Sequence, residues 1–186
     1  MLTLRKPTAA DSAAIEGYRR AVHDAGLPLH GATLDLFPDV ASWLAFHEAP
    51  AGTLLPNGVA KIADSTWLGW DGERMVGIIN LRHELNDFLR DYGGHIGYSV
   101  HPAYWNRGYA TQMLALALRE SDALGLRELL LTCSPDNLAS RRVIEKNGGV
   151  LERIGAYRGE RICSPDNALK TANLYKRGQP PCAKNY

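Results

Sequence analysis

No apolar run in this 186-residue chain approaches the ~20 residues that span a bilayer, which argues against a helical membrane protein. Neither sign of charge is in excess. With 21 Lys and Arg against 20 Asp and Glu, the net charge is +1, so bulk electrostatics give no reason to expect nucleic acid or an anionic membrane as a partner. Cysteine is scarce: Cys133, Cys163 and Cys182 are odd in number, far apart and form no C-x-x-C pair, and no metal site is indicated. The opening Leu2-Thr-Leu-Arg5 holds no signal-peptide core, and a reduced, cytoplasmic setting is the expectation. Two phosphate-binding signatures are also missing. Without G-x-x-x-x-G-K-[ST] a nucleotide-hydrolysing loop is unsupported, and without G-x-G-x-x-G a dinucleotide fold is unsupported.

Hydrophobic residues at 45% and charged residues at 22% suit a globular protein with a sizeable core. A single domain over residues 1–178 is expected, followed by a loose tail over 179–186 that contains Pro180-Pro181. Leu2 to Arg5 read as a strand, and Thr8-Ala-Ala-Asp11 has capping-box spacing before a helix with Ile15, Tyr18 and Val22 on one side. A second helix is expected over 39–48, then a loop from Gly52 to Lys61. Thr66 to Trp70, Asp71-Gly72 and Arg74 to Leu81 form a hairpin signal, the Asp-Gly pair supplying a tight turn. His83 to Tyr92 reads as a short helical insertion, and Gly93-Gly94 returns the chain to a strand over His95 to His101. Arg127 to Cys133 is a buried strand, Asp136-Asn137 opens a helix stopped by Gly148-Gly149, and Val150 to Tyr157 and Ala168 to Lys176 close as antiparallel strands. Cys-Ser-Pro-Asp-Asn occurs at 133–137 and again at 163–167; the flanks differ, so the pair reads as recurrent turn chemistry, the second copy in a hairpin loop.

The most informative stretch is Gly97-Tyr-Ser-Val-His-Pro-Ala-Tyr-Trp-Asn-Arg-Gly-Tyr-Ala-Thr111, a strand and a turn leading into a helix that starts around Arg107-Gly108. Ala110, Met113, Leu114, Ala117 and Leu118 lie at the spacing of a buried helix face. Gly108 and Ala110 leave the first turn bare, and free N–H groups at the positive end of a helix suit a phosphate-bearing ligand. An ordinary strand-to-helix crossover is the alternative on this stretch alone.

Trp105-Asn-Arg-Gly-Tyr-Ala110 resembles the [Gln/Arg]-x-x-Gly-x-[Gly/Ala] turn of the GNAT N-acetyltransferase superfamily, with Trp105 where that family usually has Gln or Arg. Asp136 to Gly149 is similar to the family's Asn-x-x-[Ala/Ser] helix, with Asn137 and Ser140 at the marked positions. The resemblance runs from Leu2 to about Lys176, and the block around Leu81-Arg-His-Glu-Leu-Asn86 looks like an uncharacterised predicted-acetyltransferase branch. It implies an α/β fold, a mixed, twisted central sheet of about seven strands with helices on both faces. It also implies acetyl-CoA as co-substrate and no metal. By the same resemblance Arg107, Gly108, Tyr109, Ala110 and Thr111 hold the diphosphate, Ser99 and Val100 pair with the pantetheine arm, and Asn137 bonds to it, with Ser140 beside it. A plain helix cap is the other reading of Asn137.

The attacking amine must be neutral, and a general base relieves the scarcity of that form near pH 7. The family's glutamate position falls near His95, which serves either as base or as a hydrogen-bonded structural histidine. Glu84, beside His83, is the rival base, or an exposed carboxylate with no role; Asp87 is weaker. Many relatives place a proton-donating tyrosine where this chain has Ile144, leaving Tyr98, Cys133 or water to protonate the leaving thiolate. A non-catalytic CoA-binding sensor is therefore a second reading. The acceptor is an amine, a small molecule ahead of a protein N-terminus, and the chain acts as a monomer or homodimer.

Overall fold

The computed structural model describes residues 1–87, 89–158 and 169–178. The second Cys-Ser-Pro-Asp-Asn, Cys163, Cys182 and the 179–186 tail lie outside the described residues.

Thr8 and Asp11 act as the sequence predicts: the Thr8 N–H and hydroxyl donate to one Asp11 carboxylate oxygen at 2.9 and 2.8 Å, and Arg5 pairs with the other at 2.7 Å. That clamp joins strand β1 (Leu2–Arg5) to helix α1 (Ser12–Asp24). Helix α2 (Val40–Glu48) starts at Asp39, whose carboxylate accepts from the Ser42 N–H at 2.7 Å. Strands β2 (Asp64–Asp71) and β3 (Arg74–Arg82) form the expected hairpin, with Gly72 at φ +60° in its turn. Strand β4 (Ile96–Val100) leads to helix α3 (Tyr109–Ala123), β5 (Glu128–Cys133), helix α4 (Leu138–Lys146), β6 (Val150–Arg158) and β7 (Leu169–Gly178).

The seven strands lie in the order β1-β2-β3-β4-β5-β7-β6. All neighbours are antiparallel except β4 and β5, which run parallel. Helices cover both faces. On one, Met113, Leu114, Ala117 and Leu118 of α3 pack against Val76, Ile79 and Leu81, as the helix stripe predicts. On the other, Ile15, Tyr18 and Val22 of α1 and Trp43 of α2 pack against Leu68 and Ile78. Trp43, Trp67 and Trp70 are all buried core residues.

The insertion expected as a short helix over His83 to Tyr92 forms a single wide π-helical turn, Leu89–Gly93, shorter than the expected span. Asn86 accepts from the Leu89 N–H at 3.0 Å to start it. Gly94 at φ +64° stops it, because Arg82 draws the Gly93 and Gly94 carbonyls toward β3 and turns the chain into β4. A second departure is the α1–α2 connection. Ala32 and Thr33 take positive φ angles of 85° and 57°, unusual for residues with a Cβ, and Trp43 Nε1 fixes them by donating to the Ala32 carbonyl at 2.7 Å. His47 Nε2 donates to the same carbonyl at 3.3 Å. The chain is thereby bent across β4, where Gly31 and Gly97 meet backbone to backbone.

Candidate active site where two strands part

β4 and β5 are paired at Ile96 and Leu131, after which β4 stays in register with β3 through Val100 while β5 stays in register with β7 through Cys133. The central sheet therefore opens into a wedge. The His101 N–H donates to the Val76 carbonyl at 2.9 Å, and the alternation of antiparallel pairing then directs the main-chain groups of Ser99 toward β3 and those of Tyr98 and Val100 toward the wedge. Of the two residues expected to pair with the arm, Val100 presents its main chain to the wedge, as does Tyr98, while that of Ser99 is engaged with β3. The Val100 carbonyl accepts from Trp105 Nε1 at 2.8 Å, so the tryptophan of the turn braces the strand end.

Beyond that end, Asn106 at φ +60° and Gly108 at φ +78° swing the chain sharply into α3. No side chain caps the helix start at Gly108. Arg107 is exposed and lies over the Tyr104 ring at 5.6 Å. The Tyr109 hydroxyl donates to Asp71 at 2.7 Å, which carries that side chain off toward the β2–β3 turn. Ala110 and Thr111 remain on the cleft wall. Opposite, Asn137 Oδ1 accepts from the Ser140 N–H at 2.9 Å; the cap is real, and the side-chain NH₂ is left available. Arg142 and Lys146, four residues apart on one face of α4, line the same cleft, a pairing that helical spacing alone makes visible.

Ile144 is buried in the core and offers no proton. The phenol that reaches α4 comes instead from β4: Tyr98 Oη lies 2.8 Å from Ser140 Oγ, and burial pushes its pKa up to about 12. Cys133 is buried on the facing strand and also lines the cleft.

On the other face of β4, the Ser99 hydroxyl donates to the His30 carbonyl, so the Tyr18 hydroxyl, 2.6 Å away, donates to Ser99. Burial raises the Tyr18 pKa. His95 Nδ1 accepts from the Leu130 N–H at 2.9 Å, bridging β4 and β5 at the vertex of the wedge. That bond sets the neutral tautomer with hydrogen on Nε2, and burial, with Arg82 and Arg90 nearby, lowers its pKa. Glu84 is exposed on the segment after β3. The structure does not bring it into the cleft lining with His95's neighbours Arg82 and Ile96.

His47, like His95, is held neutral by burial, with its pKa lowered. A histidine whose folded pKa lies below its unfolded value of ~6.5 contributes stability above that pH and loses it as pH falls through the folded value. The melting temperature is therefore expected to fall between pH 7.5 and 5. A flat profile over that window in differential scanning calorimetry would contradict the buried neutral histidines.

Arg82, Tyr98, Val100, Asn137, Arg142 and Lys146 line one cleft of about 1120 Å³, which extends from the start of α3, through the wedge, to His30 and Gly31 under the α1–α2 connection. Its uncapped helix start, two cationic side chains and extended strand edge fit a long thioester carrying a diphosphate. The family model for the acetyltransferase (GNAT) domain matches residues 1–150. The chain belongs to the GNAT acetyltransferase family. Over 75 residues it is 34% identical to the uncharacterized N-acetyltransferase YnaD of Bacillus subtilis (strain 168), a match reaching 38% of this chain and 43% of that relative's length. The GNAT fold extends through the described chain. A Salmonella typhimurium acetyltransferase that modifies the N-terminal serine of ribosomal protein L7/L12 superposes with a TM-score of 0.64 at 19% identity, covering 95% of this chain and 94% of its own. The yncA structure from the same organism, with its cofactor acetyl-CoA, gives 0.63 at 18% identity over 98% and 96%. Among the described residues no helix is long and apolar enough to cross a membrane, and no cluster of His, Cys, Asp or Glu is placed to hold a metal.

Proposed function

We propose that this GNAT chain transfers the acetyl group of acetyl-CoA to the primary amine of a small molecule. The observation that carries the reading is the continuity of the cleft from the uncapped α3 start to the Ser99 side of β4. The N–H groups of Tyr109, Ala110 and Thr111 at the positive end of α3 take the diphosphate, with Arg107 at the turn and Arg142 and Lys146 across from it. The Asn137 NH₂ and the Tyr98 and Val100 main chain hold the pantetheine arm, and Ser140 serves by positioning Tyr98. Bound acetyl-CoA supplies an activated acyl thioester; the protein's part is to align the amine and exclude water.

In the balanced reaction a C–N bond forms, the C–S bond breaks and one amine proton is released. We assign that proton to water rather than to His95, whose Nδ1 is already an acceptor, or to Glu84, which lies in solvent. Tyr98 acts on the leaving group. A phenol with pKa about 12 hydrogen-bonds a departing thiolate but does not surrender its proton to a thiol of ordinary pKa ~8.5, so solvent completes the protonation. A small acceptor is favoured because the α1–α2 connection, pinned at Ser99 and Gly97, closes over the acceptor end instead of leaving a long groove.

The test combines a melting shift with acetyl-CoA and a thiol-release assay on small amines and on peptides with free N-termini. Release with small amines is expected. Tyr98→Phe should lose roughly 10- to 100-fold in kcat, the worth of one hydrogen bond to a charged group, while still binding acetyl-CoA. Binding without release across both panels would favour a CoA-binding sensor, the reading that Ile144 motivates.

A further inference from the structure

Arg82 ends β3 on the α1–α2 side of the sheet, and its side chain lines the cleft beyond the wedge. Nη1 donates to the carbonyls of Gly93 at 3.1 Å and Gly94 at 2.9 Å. These two bonds use both Nη1 hydrogens and fix the guanidinium plane, leaving the Nη2 and Nε hydrogens to be matched. No protein acceptor meets them among the described residues, and no carboxylate pairs with Arg82. Burial holds its pKa below the ordinary arginine value; Asp64 acts on it only from a distance. Arg82 is half-buried, and a partly desolvated guanidinium with open donors gains from an anion that completes it.

The surroundings point the same way. Gly97 lies beside the guanidinium: a Cβ added there would stand 3.8 Å from Arg82 Nη2, in ordinary contact, and 3.4 Å from the Gly31 Cα. Burial lowers the His95 pKa, and the cationic Arg82 and Arg90 nearby add to that shift. The carboxylate on the cleft wall, Asp136, stands at the opposite end, before α4.

We propose that the acceptor is a small amine that itself bears a carboxylate, of the α-amino acid type, and that Arg82 binds that carboxylate through its free edge. Two parallel donors on a planar guanidinium match two carboxylate oxygens, whereas a phosphoryl group would leave its third oxygen without a donor. The inference rests on the acetyl-transfer reading above and narrows its substrate.

The experiment compares α-amino acids with their carboxamides, and with an amino-alkyl phosphate, by thiol release and by calorimetric titration into CoA-saturated protein. Wild type is expected to favour acids over amides by about 100-fold in kcat/KM, as a site built around a polar group rejects the analogue lacking it. Arg82→Gln should erase that preference, losing about 100-fold on acids while amides stay within about threefold. Arg82→Lys should recover part of the loss, and both variants should keep the acetyl-CoA melting shift. Equal rates for acids and amides in wild type would overturn the proposal, as would a preference for the phosphate. An Arg82→Gln variant that slows acids and amides alike would assign Arg82 to holding the Gly93–Gly94 turn. Should that variant fail to fold, the wild-type acid-to-amide ratio decides by itself. If wild type binds no acetyl-CoA, the acetyl-transfer reading fails; if it binds and turns over amines without regard to a carboxylate, this inference alone fails.

Discussion

Ala110→Asp is expected to weaken acetyl-CoA binding by about a thousand-fold while making the free protein slightly more stable. Ala110 is the second residue of α3 and lies on the cleft wall, where the helix starts without a side-chain cap. A carboxylate at this position turns back onto the free N–H groups and complements the positive helix end, which is worth roughly 0.3–1 kcal/mol to folding. The same carboxylate takes the donors that the diphosphate needs and sets a negative charge against it. Losing two hydrogen bonds to a charged group, at ~1.5–3 kcal/mol each, corresponds to a factor of a hundred to ten thousand. One substitution thus moves stability and affinity in opposite directions, which general damage to the fold does not do. Isothermal titration with acetyl-CoA, beside melting of the free protein, measures both. An affinity within about threefold of wild type would remove α3 from the binding site.

Gly31→Ala should lower the melting temperature by roughly 6–12 °C and raise the acceptor KM, with acetyl-CoA affinity nearly unchanged. Gly31 sits at φ +81°, where a residue with a Cβ is strained by ~1–2 kcal/mol. The added Cβ would also lie 2.8 Å from the Gly97 carbonyl oxygen and 3.0 Å from the Tyr98 Cα. Neither neighbour is the end of a flexible side chain, so the α1–α2 connection must lift off β4, at a total cost of about 3 kcal/mol. For a chain of this length 1 kcal/mol shifts the midpoint by roughly 2–4 °C. The lift would break the Ser99 bond to the His30 carbonyl and open the acceptor end. The diphosphate end lies at the opposite mouth of the cleft and is left alone. An unchanged midpoint would mean that the connection is not seated on the strand.

The contrast between α3 and the 83–94 segment indicates what local pattern can and cannot reveal. The α3 stripe, the Gly108 start and the Asn137 cap are legible because each depends on residues within a few positions of one another. The helical segment after β3 is shorter than local spacing suggests, because Arg82, from another element, draws in the Gly93 and Gly94 carbonyls. Likewise, the choice of Ser99 for the strand edge followed the sequence, while the hydrogen-bonded partner of each residue depends on register with β3.

Sequence alone determined the helix that begins on bare amides, since short-range periodicity and turn chemistry encode it; the fold and family followed from the resemblance of the Trp105–Ala110 and Asp136–Gly149 motifs. Only tertiary structure decided that β4 and β5 part after one pairing, that the Tyr98 hydroxyl meets Ser140 of α4, and that His95 is engaged by Leu130. It also brought Arg82 into the cleft lining with its Nη1 on the Gly93 and Gly94 carbonyls. Each of these joins residues distant along the chain, and the direction of a side chain or a main-chain N–H there is set by strand register and packing.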